Sequence, residues 1–190
     1  MTTPHSSKAG QPRPTTDNPD EVFDLVDEQD HVIGQVRRGD AHRNPALLHR
    51  SVQVLVFDSA GRMLLQRRSP GKDLFPGYYC ASASGHVIAG DDYLATAQRE
   101  LAEELGVSAP LTALGKALVR SDVETELTAL FLAQCDGPFH FDPVETAGGE
   151  FFTWTELLAS RAKLPMTPAL LAALDELERL MADGALALPR

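Results

Sequence analysis

Long apolar runs are missing from this chain. No stretch approaches the roughly 18 consecutive apolar residues that a bilayer-spanning helix needs, which argues against an integral membrane role. The opening MTTPHSSKAGQPRPTTDNP has no apolar centre and does not read as a secretory signal. Positive charge is also short. Seventeen Lys and Arg face 27 Asp and Glu, a net charge of -10. Such a chain repels a phosphate backbone, so broad nucleic-acid binding is not expected. A small phosphorylated metabolite remains admissible if a divalent cation bridges the like charges. Cysteine is scarce. Cys80 and Cys135 are the only two, and without other marks of export they read as free thiols of a reducing compartment, with a cytoplasmic location. Tryptophan occurs once, at Trp154. What is present is ordinary for a globular fold: 190 residues, 43% hydrophobic and 23% charged. That length suits one domain.

Residues 1–19 are rich in Pro, Thr, Ser and Gln and bury too little apolar area to offset ordering entropy, so they read as a disordered tail. A single domain is expected over 20–190. It opens with a hairpin over 20–40, where Val22–Val26 and Val32–Val36 flank a polar turn. Residues 39–49 read as irregular, with Asn44-Pro45 as a turn. Ser51–Phe57 and Met63–Arg68 are strands around an Asp-Ser-Ala-Gly turn. Two further strands are expected near 111–119 and 127–135. Helices are expected over 92–105, where Asp91 and Asp92 supply a cap and Gly106 a stop, over 155–160, and over 167–183 behind Pro168. The order of strands, helix, strands, helices gives an α+β fold, a mixed sheet sandwiched between helices. The apolar face of the last helix is assigned to the sheet, which leaves monomer and homodimer both open.

The chemistry concentrates in GHVIAGDDYLATAQRELAEELGV, residues 85–107. At about 100° per residue, Glu100, Glu103 and Glu104 share roughly a 100° arc of one helix. Leu94, Ala97, Leu101 and Leu105 form the neighbouring apolar stripe. Three carboxylates so close repel one another unless solvated or neutralised, and Mg²⁺ or Mn²⁺ is the natural neutraliser for oxygen ligands. Taken alone, the three acids also suit a solvated helix face. The full spacing decides between these readings. Gly85, Arg99, Glu100, Leu101, Glu103, Glu104, Gly106 and Val107 all stand in the register of the Nudix box, which the segment resembles. The departure is Asp91 where the family has Glu, one methylene shorter and so a weaker partner for Arg99.

The resemblance implies the Nudix fold, with the box as loop–helix–loop, and metal-dependent hydrolysis of a diphosphate linkage. It implies Glu100 and Glu104 as metal ligands, with Gly85 beside them, and Glu103 as a ligand or as the base that takes a proton from water. Asp91, Arg99 and Gly106 become structural parts of the box.

The similarity extends to the isopentenyl-diphosphate isomerase branch of the same superfamily. His42, His49, His86, Glu124 and Glu126 match, one by one, the residues that hold a metal there. Three imidazoles and two carboxylates suit Zn²⁺, Mn²⁺ or Fe²⁺. Arg68 and Lys72 match positions that hold the diphosphate, and Arg67 is adjacent. Three departures separate the chain from that isomerase. Ser84 stands where it has a cysteine, Ala169 stands where it stacks a tryptophan, and the box glutamates it has lost are kept. A serine hydroxyl cannot supply thiol acid–base chemistry. The expected activity is therefore pyrophosphohydrolase. Isomerisation of isopentenyl diphosphate, or ligand sensing without turnover, are the alternatives. The leaving group is not readable. Phe75, Tyr78, Tyr79, Phe139 and Phe141 are candidate pocket walls.

Overall fold

The computed structural model describes residues 17–188. Most of the expected disordered tail, residues 1–16, lies outside the described residues. Its last three residues are a correction, because they are held against the body. Pro19 O accepts from Gly39 N (3.0 Å), and the Asp17 carboxylate is 3.1 Å from Arg38. Paired charge supplies the attachment that apolar area does not.

Among the described residues, nine strands form one mixed sheet. β1 (Val22–Val26) and β2 (Val32–Arg37) make the expected N-terminal hairpin. α1 (Arg38–Ala41) is a single turn within the segment read as irregular. β3 (Leu48–Phe57) is the organising strand. It pairs parallel with β8 (Thr125–Gln134) along its whole length. It pairs antiparallel with β1, with β4 (Met63–Arg68) and with β6 (Ala83–His86). β5 (Tyr79–Cys80) and β9 (Thr146–Phe152) flank β4, and β7 (Thr112–Arg120) flanks β8.

Side chains alternate across a strand, and β3 uses this to serve two layers. Val52, Val54 and Val56 pack with Ala97, Leu101 and Leu105 of α2 (Tyr93–Leu105). Leu55 and Phe57 pack with Leu170, Ala173, Leu174 and Leu177 of α4 (Pro168–Ala182), and with Leu157 of α3 (Trp154–Ser160). Helices therefore cover both faces of the sheet, the α+β sandwich expected. Each fully buried leucine contributes about 1.5–3 kcal/mol.

The helix ends follow local chemistry. Asp92 caps α2 by accepting from Ala95 N, and Gly106 closes it at φ 67°. Thr153 and Glu156 form a capping box on α3, and Thr167 with Pro168 opens α4. The expected apolar stripe of α2 is short by one residue. Leu94 is 45% exposed, and Thr96 is buried in the first turn instead.

Candidate active site

A cavity of about 420 Å³ opens between α2, the end of β6, the loop after β4 and the start of β8. The box acids of α2 reach it from one side and His42 and His86 from another, with His49 buried behind them.

Glu100 and Glu104 stand one turn apart and are buried, whereas Glu103 is exposed at the rim. Glu104 Oε2 accepts from Gln66 Nε2 (2.7 Å) and from the Ser84 backbone N–H (3.1 Å). Burial pushes Glu104 up to about 8, with the Glu100 charge acting the same way. Burial likewise lifts Glu100 to about 7, against the pull of Arg99. Two buried carboxylates that resist ionisation when alone are a fitting donor set for a hard divalent cation, whose charge would cancel both penalties. Glu145, on the loop before β9, adds to the negative field at both. Sequence reasoning missed Glu145, since no motif marks that loop.

The remaining box residues separate in role. An ideal Cβ on Gly85 would lie 2.2 Å from Glu100 Oε1, so Glu100 keeps this position only while residue 85 carries no side chain. Arg99 is 2.9 Å from Glu100 and donates to Glu103 (2.8 Å). Asp91 is exposed and its backbone N–H closes a turn on Ile88 O (2.9 Å). The expected Asp91–Arg99 partnership is thus replaced by pairs within the helix, because Arg99 is satisfied by the acids next to it and one turn on.

The histidine cluster is built by β-register. Parallel pairing sets His49 beside Glu126, and antiparallel pairing sets Ser51 opposite His86. His42 enters from the turn after α1. Ligand atoms of His42, His49, His86 and Glu124 all lie within 4.8 Å of one another. Glu126 Oε1 is 3.3 Å from His86 Nε2, and Phe23 stacks under His49 and His86 (ring centroids 5.1 and 4.7 Å). His49 Nδ1 contacts Leu47 O at 3.0 Å, and its Nε2 is buried with no hydrogen-bond partner among the described residues. Glu124 Oε2 makes no hydrogen bond of good geometry either, although it lies 3.4 Å from His42 Nε2 and 3.7 Å from His86 Nε2. Burial drops His49 to about 4, so its ring is neutral and able to donate a lone pair. Burial opposes charge on His86 as well, but Glu124 and Glu126 outweigh it and raise that ring to about 9. An unpartnered imidazole nitrogen on the neutral His49 ring, converging imidazoles and two carboxylates fit a transition-metal ion.

The cations expected to hold phosphate are not equivalent. Arg68 and Lys72 line the cavity. Arg68 Nε donates to Leu74 O (3.1 Å), and Lys72 Nζ reaches Glu145 (2.7 Å) and Asp17 (2.5 Å). Arg67 is exposed, its Nε donates to Gly77 O (3.3 Å), and the cavity wall does not include it. Arg38 does line the cavity and is buried, with Asp17, Glu21 and Asp73 around it. Sequence reasoning missed Arg38 inside a segment read as irregular. Its spacing of one helical turn before His42 was the available signal.

Of the candidate aromatic walls, Phe75 lines the cavity. Tyr78 packs on Phe75, Tyr79 donates to Glu150, and Phe139 and Phe141 pack on the core under α2. Ser84, Ala169 and Cys80 all line the cavity, so the two positions that depart from the isomerase pattern face the site itself. Burial pushes the Cys80 thiol up to about 11.

The family model for the NUDIX domain matches residues 47–173. The chain belongs to the Nudix family. Among its Nudix relatives, an isopentenyl-diphosphate Delta-isomerase of Nocardia farcinica is 39% identical over 152 residues, covering 77% of this chain and 85% of the relative. An uncharacterized Nudix hydrolase of Yersinia pestis is 39% identical over 126 residues, covering 66% and 69%. A crystal structure of a Deinococcus radiodurans protein superposes with a TM-score of 0.70 at 29% identity, covering 80% of this chain and 98% of that one. Both the box and the similarity to the isomerase branch are thus properties of this Nudix chain. Among the described residues no helix is long and apolar enough to cross a membrane.

Proposed function

We propose that this Nudix protein is a metal-dependent hydrolase that cleaves a diphosphate linkage in a small phosphorylated metabolite, by water attack on phosphorus. The observation that carries the reading is the burial of Glu100 and Glu104 in one cavity with their carboxyls held far above the ordinary range. A divalent ion at such a site supplies charge neutralisation for phosphate oxygens and a more acidic water. Glu100 and Glu104 hold the Mg²⁺ or Mn²⁺, with Gly85 leaving room beside Glu100. Glu103, at the rim, takes the proton from water. Arg68 and Lys72, with Arg38, bind the phosphates, because guanidinium and ammonium donors match phosphate oxygens. His42, His49, His86, Glu124 and Glu126 hold a second divalent ion, Zn²⁺, Mn²⁺ or Fe²⁺, close to the same cavity.

The intact histidine cluster favours a second reading, isomerisation of isopentenyl diphosphate. Against it stand Ser84 and Ala169 on the cavity wall. A hydroxyl does not supply the acid–base chemistry of a thiol, and a methyl group offers no face for a carbocation. A phosphate-release screen of phosphorylated metabolites with Mg²⁺ and Mn²⁺, run beside an isopentenyl-to-dimethylallyl interconversion assay, decides. Metal-dependent phosphate or monophosphate release is expected. Interconversion without release would establish the isomerase, and tight binding without either would establish a sensor.

A further inference from the structure

Asp73 sits on the loop after Lys72, outside the box and outside the histidine cluster. Its carboxylate nevertheless reaches that cluster: Oδ2 is 2.9 Å from His42 Nδ1. The other contacts hold the carboxylate in place. Oδ1 accepts from the Leu74 backbone N–H (2.7 Å), and Arg38 approaches both oxygens at 3.4 Å. We propose that Asp73 is a positioning residue for a metal at the histidine cluster, fixing His42 as the Nδ1–H tautomer with its Nε2 lone pair turned inward. The proposal rests on the reading that this cluster holds a metal.

The argument is one of proton placement. A neutral imidazole carries one N–H, and whichever nitrogen donates it leaves the other as a ligand. His42 Nδ1 faces Asp73, so its Nε2 faces Glu124 Oε2 (3.4 Å) and His86 Nε2 (3.3 Å). His49 is arranged the same way by a different acceptor, since its Nδ1 faces Leu47 O. His49 lies on the long central strand, where the backbone supplies the acceptor two residues away. His42 follows a single turn of helix and has no such neighbour in its hydrogen bonds, so a side chain from a distant loop does the work. A carboxylate in that place also makes the ring a stronger donor to a cation, and losing such a partner typically weakens metal affinity about 10–100-fold. Arg38 balances the charge that Asp73 brings.

The test uses the full chain and Zn²⁺, measured by competition with a chromophoric chelator, with His49→Ala as the reference for loss of the cluster. Asp73→Ala should weaken Zn²⁺ binding about 10–100-fold. Glu21→Gln removes a different negative charge from Arg38, 3.2 Å away, without a contact to Asp73, and should stay near the parent. In the metal-free protein, ¹⁵N–¹H correlation spectra should show a single Nδ1–H tautomer for His42 that becomes a mixture in Asp73→Ala. Asp73→Asn keeps the side-chain volume and serves if the alanine variant does not fold. Its tautomer spectrum should shift in the same direction. Parent-like affinity and an unchanged tautomer in the Asp73 variants would overturn the proposal and leave the metal reading standing. Equal weakening in Glu21→Gln would overturn it too, because lost network charge and not the bond to His42 would be the cause. If the parent takes up no more Zn²⁺ than His49→Ala, the metal reading itself fails and the proposal falls with it.

Discussion

Gly85 and Glu100 occupy one another's space: a Cβ at residue 85 would lie 2.2 Å from Glu100 Oε1 and 2.3 Å from its carboxyl carbon. The clash falls on the end of a flexible side chain, not on backbone. Gly85→Ala should therefore fold, with little change in melting temperature, while Glu100 swings away from the cavity. Turnover and Mn²⁺ affinity should each drop about tenfold or more. Calorimetric titration with Mn²⁺ beside a phosphate-release assay checks this. Parent-like values for both would show that the glycine serves only the strand.

Glu104→Gln removes the charge but keeps an oxygen for Gln66 and the Ser84 N–H. Turnover should fall about a hundredfold or more because the cation loses a ligand. The fold should survive, and the metal-free variant should melt higher than the parent at pH 8.5, since a buried charge has gone. An active Glu104→Gln enzyme would remove the box from the mechanism.

Glu100 and Glu104 titrate near 7 and 8 when folded, above the ordinary 4.5. A carboxyl whose folded value is raised keeps its proton while the unfolded chain ionises, so stability falls with pH from the ordinary value up to the folded one and no further. His86, raised to about 9, acts in the same direction, because its stabilising proton is lost on the way up. The metal-free protein should therefore lose stability steadily from pH 6.5 to pH 9, by roughly 10 °C in melting temperature. Added Mn²⁺ should restore most of it at pH 8.5 and much less at pH 6.5. Scanning calorimetry in chelator and in Mn²⁺ is the measurement, and a flat metal-free profile across that window would contradict it.

Ser84→Cys restores the thiol at the position where the isomerase resemblance expects one. It should not by itself yield an isomerase, because Ala169 still offers no aromatic face for a carbocation. Proton NMR of isopentenyl diphosphate incubated with the variant should show no dimethylallyl product. Substantial conversion would mean that another wall residue, such as Phe75, already supplies the aromatic face that Ala169 lacks.

The parts of the fold with strong local signals were legible in the chain. Asp92, Gly106, Thr167 and Pro168 mark helix ends through their own side chains or lack of one, and the structure places α2 and α4 accordingly. The hairpin and the valine-rich β3 were equally plain. β9 was not, because Thr-Ala-Gly-Gly-Glu has poor strand propensity and is held by pairing with β4. β5 and β6 are short for the same reason, two and four residues that exist through their neighbours. In the site, the box acids and the histidines were legible because their spacing repeats a known pattern. Arg38, Asp73 and Glu145 were not. Each acts through a partner more than 30 residues away in the chain, and no local spacing encodes such a meeting. The separation of Glu103 from its two neighbours was also hidden, since an arc on a helical wheel does not say where the cavity ends.

One strand is answerable for several things at once. β3 sends valines to one helical layer and Leu55 with Phe57 to the other, and the same alternation turns His49 toward His42 and His86. A one-residue slip in the register of the whole strand would exchange the two layers and point the imidazole away together. The packing of both layers and the assembly of the histidine cluster here share one register.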